Sequence, residues 1–342
     1  MTKQPKPAKN LRLYDNTRLS TFRKCPRFFY FRHIRDWEAQ TSKIALSFGK
    51  AWHAAQEVIW PGICDGKPKN VVMKEAYAAF MVAWIEDGWP EKLSYEDEKE
   101  LSPRTPAIGL EMIAAYVDER YRRISEVEII SVELPFVVPL DPTDDSLFYI
   151  GKLDKVVQEK FSMKKIRGIE HKTTTAYRKD GKFKQAFLDS FSPNSQVDGY
   201  LYALHMTYPG KVGGIWVDAA LVHKTETAFQ FIPVEKRKEA MDMWLWSARY
   251  WIDMIEANTA HLETLSPDDP YMAAFPQRTE SCFDYNSACE YIDTCKAWPN
   301  PIGRSTPPGF RVHKWDPLEF VDAAPLLPQE PSAKPAKGKS KR

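Results

Sequence analysis

Three ionisable side chains, Asp154, Glu170 and Lys172, lie in the stretch LFYIGKLDKVVQEKFSMKKIRGIEHK. Apolar-rich segments from Leu147 to Val157 and from Ile166 to Lys172 flank a short charged link there, a pattern that predicts a β-hairpin. Residues two apart in a strand share a face, so Glu170 and Lys172 project together, and the hairpin can place Asp154 beside them. Two carboxylates and an ammonium at one strand end are suited to hold a hard divalent cation beside a phosphate or a nucleophile.

An ordinary strand face is the alternative interpretation of the same residues. Glu and Lys are common on exposed strands, and Gly-x-x-Asp followed by Glu-x-Lys is a loose pattern. Taken alone, the pattern favours this structural interpretation over a metal site, so the rest of the chain has to decide between the two.

The bulk composition is that of an ordinary soluble globular protein. The chain has 342 residues, of which 43% are hydrophobic and 27% are charged. A net charge of +2 does not argue for a nucleic-acid partner, so local basic clusters would have to do so. No apolar run is long enough to span a bilayer, and the start MTKQPKPAKN has no apolar signal core. We therefore expect no membrane association and a cytoplasmic location, in a prokaryotic cell or a phage-infected host.

The order of predicted elements indicates an α/β fold. Helices come first, followed by three strands, a helix, two strands and a long helix, which predicts a mixed sheet flanked by helices. Basic, Lys- and Pro-rich ends at 1–16 and 323–342 are predicted to be disordered. The remainder is expected to form one domain, divided into a helical part at 17–125, an α/β core at 126–260 and a cysteine-bearing segment at 261–322.

The helical part contains a basic and aromatic pair of helices, TRLSTFRKCPRFFYFRHIRDW, in which Pro26 is expected to begin the second helix. Such a pair could follow a phosphate backbone and stack bases. It could equally be a core element with a solvated basic face, and both interpretations stay open. Farther on, the segment from Gly88 to Glu100 is predicted to be a turn and charged linker between two helices.

The cysteines are clustered rather than dispersed. Cys282, Cys289 and Cys295 lie within ESCFDYNSACEYIDTC, and three thiolates need a fourth ligand to complete the sites that thiolates favour. Cys25 is the candidate, whereas the isolated Cys64 is expected to be a bystander. Uneven spacing favours an iron–sulfur cluster over zinc, whose sites usually contain paired Cys-x-x-Cys motifs. Zinc, or three unrelated thiols, remain alternatives.

The order of these motifs resembles the RecB/AddB-type branch of the PD-(D/E)xK nuclease superfamily in its iron–sulfur form. That form includes CRISPR-associated and phage RecB-like exonucleases, and the similarity runs from about Thr17 to Pro299. The segment LSTFRKCPRFFYFRHI resembles the opening helix with its cysteine, and FGKAWHAAQE resembles the Gly-x-x-x-His element. IGKLDKV, IEHKTTT and QVDGYLYAL resemble the Gly-hydrophobic-Asp motif, the Asp/Glu-x-Lys motif and the Gln-x-x-x-Tyr helix. Each motif is weak alone, but their shared order is specific.

Two features depart from the family pattern. Six residues separate Cys282 from Cys289, where family members often have two, which bears on the cluster geometry. His171 occupies the middle of Glu-x-Lys, where an aromatic or apolar residue is more usual. Since only its carbonyl would face the metal, this substitution is tolerable.

The resemblance implies a restriction-endonuclease-like fold and a metal-dependent DNA exonuclease of recombination, repair or replication. The implied catalytic residues are Asp154, Glu170, Lys172, Gln196 and Tyr200. The implied ligands of Mg²⁺ or Mn²⁺ are His53, Asp154, Glu170 and the backbone carbonyl of His171. The implied ligands of a 4Fe–4S cluster are Cys25, Cys282, Cys289 and Cys295. The implied DNA-binding residues are Arg23, Arg27, Arg178 and Lys179.

DNA, as single strands or duplex ends, is the partner that the resemblance implies. A helicase or a single-strand annealing protein is a further candidate partner, because the chain has no GxxxxGK[ST] motif of its own. Two other classes of function remain open. One is a non-catalytic DNA-binding subunit, and the other is a protein-interaction module whose fold is held together by a metal (a metal-stapled interaction protein).

Overall fold

The chain folds around a mixed sheet with helices on both faces, which confirms the predicted α/β class. The computed structural model describes residues 11–40, 43–161, 164–178, 180, 182–284 and 287–316. The strands are β1 (Arg12–Tyr14), β2 (Trp37–Ala39), β3 (Val127–Pro139), β4 (Leu147–Glu159), β5 (Ile166–Thr174), β6 (Val212–Leu221), β7 (Phe229–Val234) and β8 (Phe310–Val312). The α-helices are α1 (Asn16–Lys24), α2 (Pro26–Phe29), α3 (Ile44–Cys64), α4 (Lys69–Glu86), α5 (Tyr95–Leu101), α6 (Pro106–Ser125), α7 (Gln185–Asp189), α8 (Ser195–Thr207), α9 (Lys238–Leu262) and α10 (Ile292–Ala297).

Strand β4 is at the centre of the sheet and is paired along both edges. Antiparallel β3 runs along one edge from Phe148 to Glu159. The other edge is shared, because parallel β1 pairs with Leu147–Tyr149 and antiparallel β5 pairs with Lys155–Gln158. The described ladders therefore leave an opening on this edge immediately before Lys155. Asp154 lies in that opening.

The remaining ladders build the sheet outward from β5. Strand β6 pairs with β5 in parallel, with His171 opposite Asp218 and Lys172 opposite Ala219. Strand β7 closes this side by pairing antiparallel with β6. The predicted hairpin of β4 and β5 is thus confirmed.

Two apolar cores cover the two faces of the sheet, because successive strand residues point to opposite sides. One core joins Val156, Ile215 and Val217 to α1, α8 and α9. The other joins Ile169 and Trp216 to α3, α4 and α6. We refer to these two sides as the α8 face and the α3 face.

The two ends of the domain are tied together beside the sheet. Strand β2 pairs antiparallel with β8, and the α2 helix is followed by a π-helical turn at Tyr30–Ile34. The Arg27 guanidinium donates hydrogen bonds to the carbonyls of Phe275, Met272 and Pro299.

None of the described helices is long and apolar enough to cross a membrane.

Two expectations about order along the chain are corrected. Residues 1–16 were expected to be disordered, yet Arg12–Tyr14 form β1 and Asn16 begins α1. Arg12 is held there by ion pairs to Asp144 and Glu256. Part of the predicted charged linker also forms α5, because Ser94 and Asp97 make a capping box at its start. Residues 1–10 and the predicted basic tail at 323–342 lie outside the described residues.

Candidate active site

Asp154 is positioned by the opening between β4 and β5. Its Oδ2 accepts a hydrogen bond of 2.8 Å from the backbone N–H of His171. This bond takes the place of a backbone hydrogen bond between β4 and β5. His53 Nδ1, from α3, lies 3.3 Å from the same oxygen. The carboxylate is therefore fixed from both the sheet and a helix, as expected if His53 and Asp154 belong to one site.

Glu170 and Lys172 lie on the α8 face of β5, as their spacing predicted. The two side chains form an ion pair, with 2.6 Å between Lys172 Nζ and Glu170 Oε1. Glu170 is only 2% exposed, and its Oε2 has no hydrogen-bond partner among the described residues. Extending the β4–β5 register by one residue places Asp154 opposite Glu170, so the two carboxylates face each other.

The charges of this site shift one another's pKa. Burial, and then the Asp154 carboxylate, raise the pKa of Glu170 to about 7. Burial would also raise the pKa of Asp154, but His53 and the His171 N–H hold it well below its usual range. Although burial opposes the charge of Lys172, the Glu170 carboxylate raises the pKa of this ammonium. At neutral pH the site thus contains a negative Asp154, a positive Lys172 and a Glu170 close to its midpoint.

Gln196 and Tyr200 approach the carboxylates from α8. This helix begins where the Asn194 side chain accepts hydrogen bonds from the backbone N–H groups of Gln196 and Val197. Gln196 Nε2 then donates to the Tyr200 hydroxyl at 3.0 Å, one helical turn away. Burial, and then the Glu170 carboxylate, raise the pKa of Tyr200.

A divalent cation fits this donor set. The buried, unpartnered oxygen of Glu170 and the opposed Asp154 carboxylate would both be satisfied by a positive ion between them. Carboxylates and a carbonyl suit Mg²⁺, and an imidazole makes Mn²⁺ more favourable. As placed, no three His, Cys, Asp or Glu side chains of the described chain are arranged to hold one metal ion.

The sequence did not reveal the buried polar residues on the opposite side of β5. The His171 side chain lies on the α3 face, where its Nε2 is 3.0 Å from Lys155 Nζ and its Nδ1 is 3.2 Å from Asp218 Oδ2. The Asp218 carboxylate also accepts a hydrogen bond from the Tyr116 hydroxyl. Burial, and then Lys155, lower the pKa of His171 to about 4, so this imidazole is neutral. The signal in the sequence was slight: one aspartate within the apolar strand VGGIWVDAAL.

The four predicted cluster cysteines line one cavity of about 830 Å³. Cys25 lies at the start of α2, and Cys289 donates its backbone N–H to the carbonyl of Cys282 at 2.8 Å. Burial, assisted by the neighbouring Cys25 and Cys282 thiols, raises the pKa of Cys289. Burial raises the pKa of Cys295 as well. Cys64 is elsewhere, on α3, with its sulfur 3.6 Å from the carbonyls of Ile124 and Val127.

The predicted DNA-binding arginines differ in their surroundings. Arg27 is 4% exposed and its guanidinium is directed at three backbone carbonyls, so the expectation that it contacts DNA is wrong. Arg23 is half-buried on α1, where its Nε donates to the Leu19 carbonyl at 3.3 Å. Arg178 is exposed and pairs with Asp180 at 3.4 Å. Lys179 lies outside the described residues.

A family model described as the PD-(D/E)XK nuclease superfamily matches residues 16–296. Among solved structures, a protein from Eubacterium rectale provisionally described as an exonuclease is 13% identical, with a TM-score of 0.38, over 71% of this chain and 77% of that chain. The structure of SSO0001 is 10% identical, with a TM-score of 0.25, over 51% of this chain and 76% of that chain. No curated protein sequence matches the chain. The family model spans the site from His53 to Tyr200 and the cysteines from Cys25 to Cys295.

Proposed function

Because the chain belongs to the PD-(D/E)XK nuclease superfamily, we propose that it is a divalent-metal-dependent deoxyribonuclease that acts as an exonuclease. The observation that carries the proposal is the convergence of Asp154, Glu170 and Lys172 where β4 and β5 separate. Family membership supports nuclease activity, and the exonuclease mode rests on the RecB-like order of the motifs.

The metal would be held by Asp154, Glu170, His53 and the backbone carbonyl of His171. When bound, the ion supplies a Lewis acid that neutralises charge developing on the scissile phosphate. The Asp154 carboxylate is already oriented for this by the His171 N–H at 2.8 Å. Glu170 contributes the oxygen that has no partner in the described part of the chain.

The role of Lys172 is to act on the attacking water. Its ammonium lies 2.6 Å from Glu170 Oε1 and its raised pKa keeps it protonated, so it is suited to orient a water and stabilise negative charge on the phosphate. Tyr200 and Gln196, joined by a 3.0 Å hydrogen bond, present a hydroxyl and an amide on the same side of the sheet. We assign to them the positioning of the DNA strand relative to Lys172.

A 4Fe–4S cluster is the second part of the proposal. Its support is that Cys25, Cys282, Cys289 and Cys295 line one cavity although they come from opposite ends of the chain. The uneven cysteine spacing, with Cys25 remote in the chain, favours iron over zinc, whose sites usually contain paired Cys-x-x-Cys motifs. As placed, no three cysteines of the described chain are arranged around a single ion.

The surroundings of the cavity suggest a structural role for the cluster. Ser281 Oγ donates to the Lys24 carbonyl at 2.8 Å, and the Lys24 ammonium pairs with Asp284 at 2.8 Å. Arg278 donates in addition to the Arg23 carbonyl. These contacts already connect α1 to the C-terminal segment. A cluster bound by the four thiolates would strengthen the same connection.

Two alternative functions make different predictions. A non-catalytic DNA-binding subunit would not need Lys172 beside a carboxylate pair, and an interaction protein would not need the oriented Asp154. The complete set of His53, Asp154, Glu170 and Lys172 therefore favours the enzyme. Removal of nucleotides from DNA ends is a step of recombination, repair and replication, in which a helicase or an annealing protein would be the class of partner.

Digestion of labelled DNA tests this function. Full-length protein purified without oxygen would be incubated with linear and circular DNA, single- and double-stranded, in Mn²⁺, Mg²⁺ or chelator. We expect linear DNA to be shortened from its ends only when a divalent ion is present, and closed circles to persist. Cleavage of closed circles would contradict the exonuclease mode, and absence of any metal-dependent cleavage would contradict the enzyme.

A further inference from the structure

We propose that Asp218 and Tyr116, on the α3 face of the sheet, are positioning residues for the metal site and act through His171. The inference rests on the proposed nuclease function, because it concerns how the Asp154 carboxylate and the His171 carbonyl are held in place around the metal. Among the described residues, no hydrogen bond or ion pair joins either of them to Asp154 or Glu170.

The His171 peptide is the point where the two sides of the sheet are connected. Its N–H donates to Asp154 Oδ2 at 2.8 Å, and its carbonyl is a candidate metal ligand. The described ladder between β4 and β5 ends at Lys155 and Ile169, so β4 makes no regular ladder contact with this peptide. A rotation of the peptide would displace the carbonyl and the Asp154 carboxylate together.

The side chain of His171 limits that rotation from the opposite face. The imidazole is fully buried between Lys155 and Asp218, at 3.0 Å and 3.2 Å. A Lys155 ammonium can only donate to Nε2, which places the imidazole proton on Nδ1, on the side of the ring that faces Asp218. The ring is thus held by a hydrogen bond at Nε2, while Nδ1 lies 3.2 Å from the Asp218 carboxylate without hydrogen-bond geometry to any described residue.

Asp218 is in turn fixed by the helices that cover this face. The Tyr116 hydroxyl, from α6, donates to its carboxylate, and Trp60 Nε1, from α3, donates to that hydroxyl at 3.0 Å. Arg120 Nε lies 3.9 Å from the second carboxylate oxygen. A continuous series of polar contacts therefore runs from two helices, through Asp218 and His171, to the peptide that orients Asp154.

The position of this buried series argues for positioning rather than packing alone. Ile169, two residues earlier on the same face, is a fully buried apolar side chain. An apolar residue can thus fill this face, whereas buried polar groups carry a cost, and here His171 Nδ1 and Asp218 Oδ1 have no hydrogen-bond partner among the described residues. The polar contacts are concentrated at His171, the residue whose backbone borders the metal site.

Direct titration with Mn²⁺ tests the proposal. The variants Asp218→Asn and Tyr116→Phe would be compared with the wild type by calorimetry without DNA, and by the Mn²⁺ concentration that gives half-maximal DNA cleavage. The amide introduced by Asp218→Asn can donate to His171 Nδ1 and favour the wrong tautomer for Lys155. We therefore expect a 10- to 100-fold loss of Mn²⁺ affinity, typical of residues that orient metal ligands. Tyr116→Phe keeps every charge and should cause a smaller loss in the same direction.

Tyr202→Phe is the matched control. Its hydroxyl donates a 2.6 Å hydrogen bond to the Pro139 carbonyl, away from His171, so its loss should leave the Mn²⁺ affinity unchanged. Equal Mn²⁺ affinity in wild type, folded Asp218→Asn and Tyr116→Phe would overturn the positioning role. If Asp218→Asn does not fold, the Mn²⁺ affinity of Tyr116→Phe alone tests the positioning role. Wild-type protein that binds Mn²⁺ without cleaving DNA would instead contradict the proposed function, while the affinities would still test the positioning.

Discussion

The Lys172 ammonium lies 2.6 Å from one oxygen of the Glu170 carboxylate, and the other oxygen has no partner in the described part of the chain. The same carboxylate faces Asp154 across the opening between β4 and β5. One side of Glu170 is thus neutralised by the protein, and the other side is left for a cation. In the proposed mechanism, Lys172 on one side would orient the attacking water, and the carboxylates on the other side would hold the metal.

The first prediction concerns pH. In metal-free protein the pKa of Glu170 is raised to about 7, so its protonated form stabilises the fold at low pH and this contribution is lost as the pH rises through about 7. Metal binding needs the ionised carboxylate and a neutral His53, so Mn²⁺ affinity should rise with pH through about 7. We expect binding at least about tenfold weaker at pH 6 than at pH 8. Calorimetry in two buffers would also detect the released proton.

Glu170→Gln is the control for this titration, because the amide keeps the shape and cannot ionise. Its residual Mn²⁺ affinity should change less between pH 6 and pH 8 than that of the wild type, because only the deprotonation of His53, whose pKa, against the effect of burial, is raised by Asp154, still contributes. Equal affinities at both pH values in the wild-type protein would contradict the raised pKa.

The second prediction concerns the cysteines. Protein purified without oxygen should be brown and contain iron and sulfide, because four cysteines that could supply thiolate ligands line the cavity. Cys25→Ser should lose the colour and lower the melting temperature, since the link between α2 and the C-terminal segment is weakened. Cys64→Ser, which changes a thiol outside the cavity, should keep the iron. A colourless wild-type protein with stoichiometric zinc would contradict the assignment.

The third prediction separates two arginines that look alike in the sequence. Arg178→Ala should weaken DNA binding, reduce the salt dependence by about one unit of slope and leave the melting temperature unchanged. Arg27→Ala should lower the free energy of unfolding by at least about 2 kcal/mol, because three backbone carbonyls, two of them in buried hydrogen bonds, lose their donor. Binding isotherms at several salt concentrations and thermal melts measure both effects. The opposite pattern, with Arg27→Ala changing only the salt slope, would contradict the structure.

The sequence could predict the α8 face of the site because alternation along a strand determines which side chains share a face. The shared face of Glu170 and Lys172 could be predicted from the strand period alone, and the position of Asp154 beside them from the hairpin. The shared face of Gln196 and Tyr200 could be predicted from the helical period, since they are one turn apart. For these residues local geometry carries the information, and the fold class followed from the order of elements.

The residues that could not be predicted depend on contacts between distant segments. His171 meets Asp218 only because β6 lies parallel beside β5, and Tyr116 reaches them from a helix 102 residues before Asp218. Arg27 was assigned to DNA because a basic, aromatic helix has the same sequence pattern whether it faces solvent or another segment. The carbonyl of Met272 that it binds lies 245 residues away.

Cleavage of end-labelled linear DNA in Mn²⁺ under single-turnover conditions tests the metal-dependent site most directly. Wild-type protein, Asp154→Asn and Lys172→Met would be compared, with folding verified by circular dichroism and with Tyr202→Phe as the control. We expect cleavage by the wild type that stops in chelator, an unchanged rate for Tyr202→Phe, and rates at least about 100-fold lower for the other two variants. Wild-type rates in folded Asp154→Asn and Lys172→Met would contradict a nuclease site at the opening between β4 and β5.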